Sequence, residues 1–461
     1  MEVEKEMQIE ILDSNVWSRI EDSKKVFRNF VSPLTGIIAR VVRQMHEVDD
    51  IRCHAVGATS ANSSYTTGNP TNTLNGGGGG SEDGTYLAAV GEGIERYCVT
   101  YLPDSVKCAT YSQISSDEQC LGPQEIGFFS REQYELEGFP FKRFDPDVPI
   151  AWTTGVDLRT GASIQLPAQM IYMSSWDGFV PEPQRITYAT SNGLSAHLTR
   201  SEACLSSLFE VLERDAFMAV WYSKISMPTI PHDLNEGLSK FIERHISPAG
   251  LEFHLVNLSE INEIPTVMAI VINSKTKLAR FAIGAAAAAT LEIACKKALV
   301  EAFQTRIWVK AEQRSSSTLP SDCDWGEKIR VFDDHIRLYA DDSSEHLREE
   351  ISFLYEGQSV DEDYFRWDLH QGGPVDQINE VLQKSALSNI DFYAVDCTSP
   401  DVAAEGAHVV KVISPQLLQL DSGYNFRFLG NPRLFEVAFE KGLIDSRLDL
   451  LSINQLPHPF P

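Results

Sequence analysis

The sequence predicts an α+β fold in which mixed or antiparallel sheets pack against long helices. Three long segments with helical apolar spacing carry that prediction: Gly84–Cys98, Thr190–Ser223 and Leu291–Lys310. Between the second and third, a short helix is followed by three apolar, partly β-branched runs, with no strand–helix alternation. At 461 residues the chain exceeds one ordinary core, so two or three lobes are expected. A hydrophobic content of 43% supplies ample core material.

Net charge is −26, from 39 basic and 65 acidic residues, which argues against nonspecific nucleic-acid binding. The amino terminus, MEVEKEMQIEI, is acidic and is no signal peptide. The most apolar window, Phe281–Ala294, is short and interrupted by Thr290 and Glu292, so it cannot span a bilayer. Neither nucleic acid nor membrane is expected as a partner. The eight cysteines include no CxxC and no zinc spacing, and they read as buried reduced thiols of a cytoplasmic protein.

Taken in order, residues 1–25 read as a charged peripheral segment ahead of a main region, 26–461. Phe27–Val42 mixes a strand pattern with a Pro-Leu-Thr-Gly turn. Residues 59–80, rich in Gly, Ser and Asn and ending in GGGGG, read as a flexible loop or linker feeding the first helix. A glycine loop before a helix can also cradle phosphate, although no Walker sequence occurs. Residues 101–149 are punctuated by Pro and Asp and read as surface loops and short strands, and 150–174 as strands. Asp233–His245 reads as a short helix; Glu252–Leu258, Thr266–Asn273 and Leu278–Ile283 read as strands. The small-residue run Gly284–Ala289 opens the third long helix. Residues 311–330 include a linker, 341–358 and 375–388 read as acidic helices, and Asp391–Val395 and His408–Ile413 as strands. The end, Pro457–Pro461, has few amide donors; it either frays or is held rigidly.

The chemistry-bearing residues are carboxylates on the three long helices. At ~100° per residue, Glu202, Glu213 and Glu210 fall at roughly 0°, 20° and 80°, beside an apolar arc of Phe209, Ala216, Leu205 and Leu212. Glu92 and Glu95 share a face of the first helix, and an Arg trails each set, as in GIER (93–96) and VLER (211–214). Carboxylates at the border of a buried face need a cation or hydrogen-bond donors. Several such groups on paired helices suit Mg2+ shared with phosphate oxygens. In the third helix Lys297 and Glu301 form an i,i+4 pair, either an exposed ion pair or a cation and a carboxylate added to that site.

Four stretches together resemble the YcaO family: AAVGEGIERYC (88–98), SNGLSAHLTRSEACLSSLFEVLERDA (191–216), ATLEIACKKALVEAFQTR (289–306) and the terminal PHPFP. The likeness runs from about Val31 to the last residue. It implies a YcaO-type fold around a central nucleotide site for ATP and Mg2+. Glu92, Glu95, Glu202, Glu210, Glu213 and Glu301 match the metal-binding positions, and Glu95, Arg214 and Lys297 the nucleotide-binding ones. Ala88 stands where Ser is frequent and His197-Leu198 where Gly-Asn is frequent, which shifts nucleotide hydrogen bonding toward Asn192 or Ser195. The PHPFP end resembles azoline-forming members, making the Pro461 carboxylate a candidate general base and Arg214 a candidate catalytic cation.

The implied reaction is ATP-dependent cyclodehydration of Cys, Ser or Thr in a ribosomally made precursor peptide to thiazoline or oxazoline. The side chain attacks the preceding amide carbonyl, the amide oxygen is phosphorylated, and phosphate departs. No adenylation-enzyme-like region is recognisable, so a separate ThiF-like partner is expected to bind the leader. Oxidation to the azole falls to a flavin dehydrogenase, and a homodimer is plausible by resemblance. Thioamide or amidine formation, or a non-catalytic scaffold role, are the alternatives within the family.

Overall fold

Glycine is what brings the helices close to the sheets in this chain. The computed structural model describes residues 10–64, 74–174, 184–359, 363–386 and 388–460. Strands β1 (Ile38–Arg43), β2 (His54–Ser60) and β3 (Leu74–Gly79) form one antiparallel sheet in that order. Within the expected flexible segment 59–80, residues 59–60 and 74–79 are paired strand, while residues 65–73 lie outside the described residues. Composition misled because these glycines answer to packing. A Cβ on Gly77 would collide with the Thr85 carbonyl, and one on Gly78 with Gln304 and Val300. Only glycine lets β3 slip between two long helices.

Helix α1 (Ile20–Phe27) precedes this sheet, and α2 (Glu82–Cys98) follows it. The Ser81 hydroxyl caps α2 by accepting the Gly84 amide. Strands β4 (Lys107–Ala109), β5 (Ile150–Asp157), β6 (Ser163–Pro167) and β7 (Leu194–His197) join β11 (Tyr393–Asp396) and β12 (His408–Ile413) in a second antiparallel sheet. Its order is β4-β5-β11-β12-β7, with β6 on β5. Helix α2 is packed between these two sheets, through Ile94, Val90 and Cys98.

The third sheet is β8 (Glu252–Asn257), β9 (Thr266–Ile272) and β10 (Phe281–Ala287), antiparallel with β9 central. The strand expected to stop at Ile283 continues through the small residues to Ala287. Those residues serve β10 rather than opening a helix, because a Cβ at Gly284 would strike the backbone of Ala302. Helix α3 (Arg200–Ser223) lies across β7, β12 and β10, and α4 (Leu291–Arg314) covers β9 and β10. Thr199 and Thr290 cap them, accepting the amides of Glu202 and Ile293.

The remainder is smaller. Helix α5 (Phe332–Ala340) packs on α4, α6 (Pro374–Ala386) on α3, and α7 (Arg433–Glu440) also on α3. Only Glu345–Glu350 of the acidic segment 341–358 is α-helical, flanked by 3-10 turns. The proposed linker 311–330 begins inside α4 and then packs, with Ile329 at 1% exposure. Where it is described, the amino-terminal segment is mostly exposed but is tied to the body at its start. Asp13 accepts the Ser201 amide and hydroxyl at the start of α3, and Ile11 is buried. Among the described residues no helix is long and apolar enough to cross a membrane.

Candidate active site

Helices α2, α3 and α4 converge, and their carboxylates form one electrostatic group. From α2, Glu95 accepts the Ala196 amide of β7 at 2.8 Å, and Glu92 accepts the Gly76 amide at 2.5 Å and Arg96 at 2.6 Å. From α3, Glu210 lies 3.5 Å from Arg214, and the nearby amides of Gly193 and Leu194 favour its charged form. Glu213 holds Arg214 at 2.6 Å and accepts the Ala287 amide at 3.3 Å. From α4, Glu301 accepts the Ala285 amide at 3.0 Å and stands 4.0 Å from Arg214. Backbone amides of β3, β7 and β10 thus aim the carboxylates inward, and Arg214 stands at their centre.

Crowding and burial set the charge state. Burial, then repulsion from Glu210 and Glu92, holds Glu95 well above the usual carboxylate range. Burial pushes Glu213 up to about 8 against the opposing pull of Arg214, with Glu301 and Glu210 adding to the rise. Glu210 and Glu301 are raised for the same first reason. Desolvation lowers Lys297 while Glu213 and Glu301 hold it up; its side chain still reaches the surface, and among the described residues it forms no ion pair with Glu301. Five carboxyl groups crowd here, more than Arg96, Arg214 and Lys297 would balance if all were ionised, and the raised Glu95 and Glu213 relieve the excess by holding protons.

Two expected site residues sit apart from this group. Glu202 is buried, but its oxygens are taken by the Ser18 amide at 2.7 Å, the Ser18 hydroxyl at 2.5 Å and Thr199 at 2.9 Å. Ser195 is buried on the face of β7 shared with Val410, which packs on α3. Pro461 lies outside the described residues. Asn192 does reach the site: it lines a small cleft with Thr190, Arg214, Lys411 and Ser414, and its buried Nδ2 has no hydrogen-bond partner. The buried Nε of Arg214 is likewise unpartnered. Asp215, next on α3, turns away into a 2.8 Å pair with Arg433 of α7.

Sequence reading missed Lys411. It is 2% exposed in β12, donates to the carbonyls of Thr190 at 2.6 Å and Ile171 at 3.2 Å, and burial lowers it to about 8. A lysine within the apolar run HVVKVI was the available signal, because a buried strand rarely admits an ammonium without a task. The second miss is Phe460, whose ring lies 4.5 Å beneath the Arg214 guanidinium.

Among the described residues, no three His, Cys, Asp or Glu side chains already stand as a metal-ion shell. Arginines and amides occupy the oxygens instead. The donor set nevertheless fits a hard cation with phosphate: oxygen-only acidic ligands in excess, and unpartnered Arg214 and Asn192 donors beside them. Three antiparallel sheets with helix-borne carboxylates meeting at one arginine form an α+β protein with a candidate cation site and no Walker loop. The family model described as YcaO cyclodehydratase, ATP- and Mg2+-binding, matches residues 76–418, and the chain belongs to that family.

Comparison with curated proteins gives no match. Among solved structures, a heterocyclase in complex with substrate and cofactor has a TM-score of 0.75 at 19% identity, over 96% of this chain and 57% of that one. The chain therefore spans little more than half of that heterocyclase. YcaO from Methanopyrus kandleri, bound with AMPPCP and Mg2+, gives 0.59 at 17% identity over 87% and 92%. A chain of the E. coli microcin synthetase McbBCD complex with pro-MccB17 gives 0.53 at 14% over 87% and 91%. At these identities the likeness is one of fold.

Proposed function

We propose that this chain catalyses ATP- and Mg2+-dependent cyclodehydration of Cys, Ser or Thr in a ribosomally made peptide, giving thiazoline or oxazoline. The observation that carries the reading is the unbalanced carboxylate group around Arg214, in a chain of the cyclodehydratase family. Glu92, Glu95, Glu210, Glu213 and Glu301 would hold Mg2+, with Arg214, Lys297 and Asn192 toward the nucleotide. Glu202 joins them only by exchanging its Ser18 contacts. The bound Mg-nucleotide supplies an activated phosphoryl group to the substrate amide oxygen, which is otherwise a poor leaving group.

The chain's own part is electrostatic. Arg214 is a cation held in place by Glu213 and Phe460, with Lys297 at the edge of the same group, and both suit stabilising charge that develops on transferring phosphoryl oxygens. The nucleophile's proton needs a base, and the Pro461 carboxylate is the candidate at the end of a tail whose preceding residues are anchored. The reading includes an assembly with a leader-binding ThiF-like partner and a flavin dehydrogenase in the cytoplasm. It is supported by the fold likeness to a chain of the McbBCD complex.

The test is reconstitution with precursor peptide and partner. ATP is expected to yield ADP and phosphate only when both are present, with each ring lowering peptide mass by one water. Phosphate release without water loss would replace azoline formation by transfer of an external sulfide or amine. No nucleotide binding at all would leave a scaffold role.

A further inference from the structure

The carboxy-terminal tail presents an unusual problem of anchorage. Pro457 and Pro459 have no amide hydrogen, so the tail offers mainly carbonyls, and anything that fixes it must donate. Helix α5 supplies two donors four residues apart on one face. The Tyr339 hydroxyl donates to the Pro457 carbonyl at 2.8 Å, and His335 Nδ1 meets the His458 carbonyl at 2.8 Å. The His458 ring stacks on His335 with centroids 4.0 Å apart and meets the Asp421 carbonyl through Nε2 at 2.9 Å.

Burial pushes His335 down to about 4 and His458 well below its ordinary value, so both rings are neutral near pH 7. Two neutral rings can stack without repulsion, each spending one N–H on a carbonyl. Beyond this anchor the Phe460 ring is fully buried in an apolar cluster, 4.7 Å from Phe217, and carries the Arg214 guanidinium on its face. Arg214 in turn is the only group that touches Glu210, Glu213 and Glu301 together among the described residues.

We propose that His335 and Tyr339 are positioning residues: by gripping the tail's carbonyls they seat Phe460, and Phe460 fixes the Arg214 guanidinium toward Glu210, Glu213 and Glu301. A ring face directs a cation without competing for its N–H groups, which stay free for carboxylate or phosphate oxygens. The functional meaning rests on the nucleotide reading above, because only then does the direction of Arg214 matter to catalysis. The tail is thus a strut for the cation.

The full chain tests this without a peptide substrate. Arg214 Hε, assigned in 15N-arginine-labelled protein by its loss in Arg214→Lys, should show an upfield ring-current displacement. Phe460→Leu keeps the apolar filling but removes the ring, and should abolish that displacement. Tyr339→Phe and His335→Leu should speed hydrogen exchange of the segment 452–460 by about tenfold or more, and shift Arg214 Hε toward its Phe460→Leu position. His335→Asn retains a donor near the Nδ1 position and should keep both readouts close to wild type. An unmoved Arg214 signal in variants whose tail exchange has risen overturns the proposal, as does tail exchange that does not rise. Failure of the wild-type chain to bind Mg-AMPPCP would refute the nucleotide reading instead, with the Arg214 signal still deciding this one.

Discussion

The carboxy-terminal half of α4 sends Arg306, Lys310 and Arg314 to Glu47, Asp49 and Asp50 in the loop between β1 and β2, three cations against three carboxylates. Arg306 is fully buried and Lys310 nearly so, the latter reaching Asp49 at 2.8 Å and Asp50 at 2.7 Å. The first half of the same helix places Lys297 and Glu301 in a group where carboxylates outnumber cations. The titration directions are opposite. Hydrogen bonding from Arg314 takes Glu47 down to about 2; at Asp49 burial pulls upward but hydrogen bonds from Lys310 and Arg306 prevail, also to about 2. Glu213 instead rises to about 8. A matched cluster is complete as it stands and serves the fold. An unmatched one holds like charges together against their repulsion, which is what a site for a cation requires.

The largest effect should come from breaking the matched cluster. Arg306→Leu leaves Asp49 and Asp50 short of a buried partner and should cost about 3–5 kcal/mol in denaturant unfolding. Nucleotide binding per molecule of folded protein should be kept. Glu213→Gln should do the reverse. ATP turnover falls by at least about 100-fold, worth roughly 2.7 kcal/mol of barrier, while stability near pH 7 is kept or raised, because the fold no longer holds a carboxyl it prefers protonated. A large stability loss in Glu213→Gln would make the unmatched group structural.

Stability against pH sharpens the contrast more gently. Glu47 and Asp49 have folded values below their ordinary ones, so their contribution is present above about 4.5 and 3.8 and is lost as pH falls toward about 2. Glu213 is raised, so between about 4.5 and about 8 the folded state binds more protons than the unfolded one, and stability declines as pH rises. Asp49→Asn should flatten only the acid limb of the thermal-midpoint profile, and Glu213→Gln only the alkaline limb. Both limbs changing in one variant would mean the clusters are coupled through α4.

Much of the site was legible because helical periodicity is local. Glu92 and Glu95, three apart, and Glu210 and Glu213 on one border were bound to face together once their helices formed. The wheel also grouped Glu202 with Glu213, yet eleven residues at ~1.5 Å each separate them by roughly 16 Å along the axis. An angular plot has no axial coordinate, so Glu202 reaches Ser18 while Glu213 reaches Arg214. The glycine run was misread because composition reports what a segment can do alone, whereas β3 exists through the helices packed on it. Lys411 and Phe460 depend on distant strands and on the chain end folding back, contacts that no local pattern encodes.

The central claim is that the unmatched carboxylates await Mg2+ with a nucleotide, and thermal melting with Mg2+ and AMPPCP tests it most directly. Wild-type protein should gain about 2.7 kcal/mol at a hundredfold excess of ligand over its Kd, with both ligands required, and Glu213→Gln should gain far less. A wild-type transition unmoved by the pair, or a Glu213→Gln shift equal to wild type, would contradict the account.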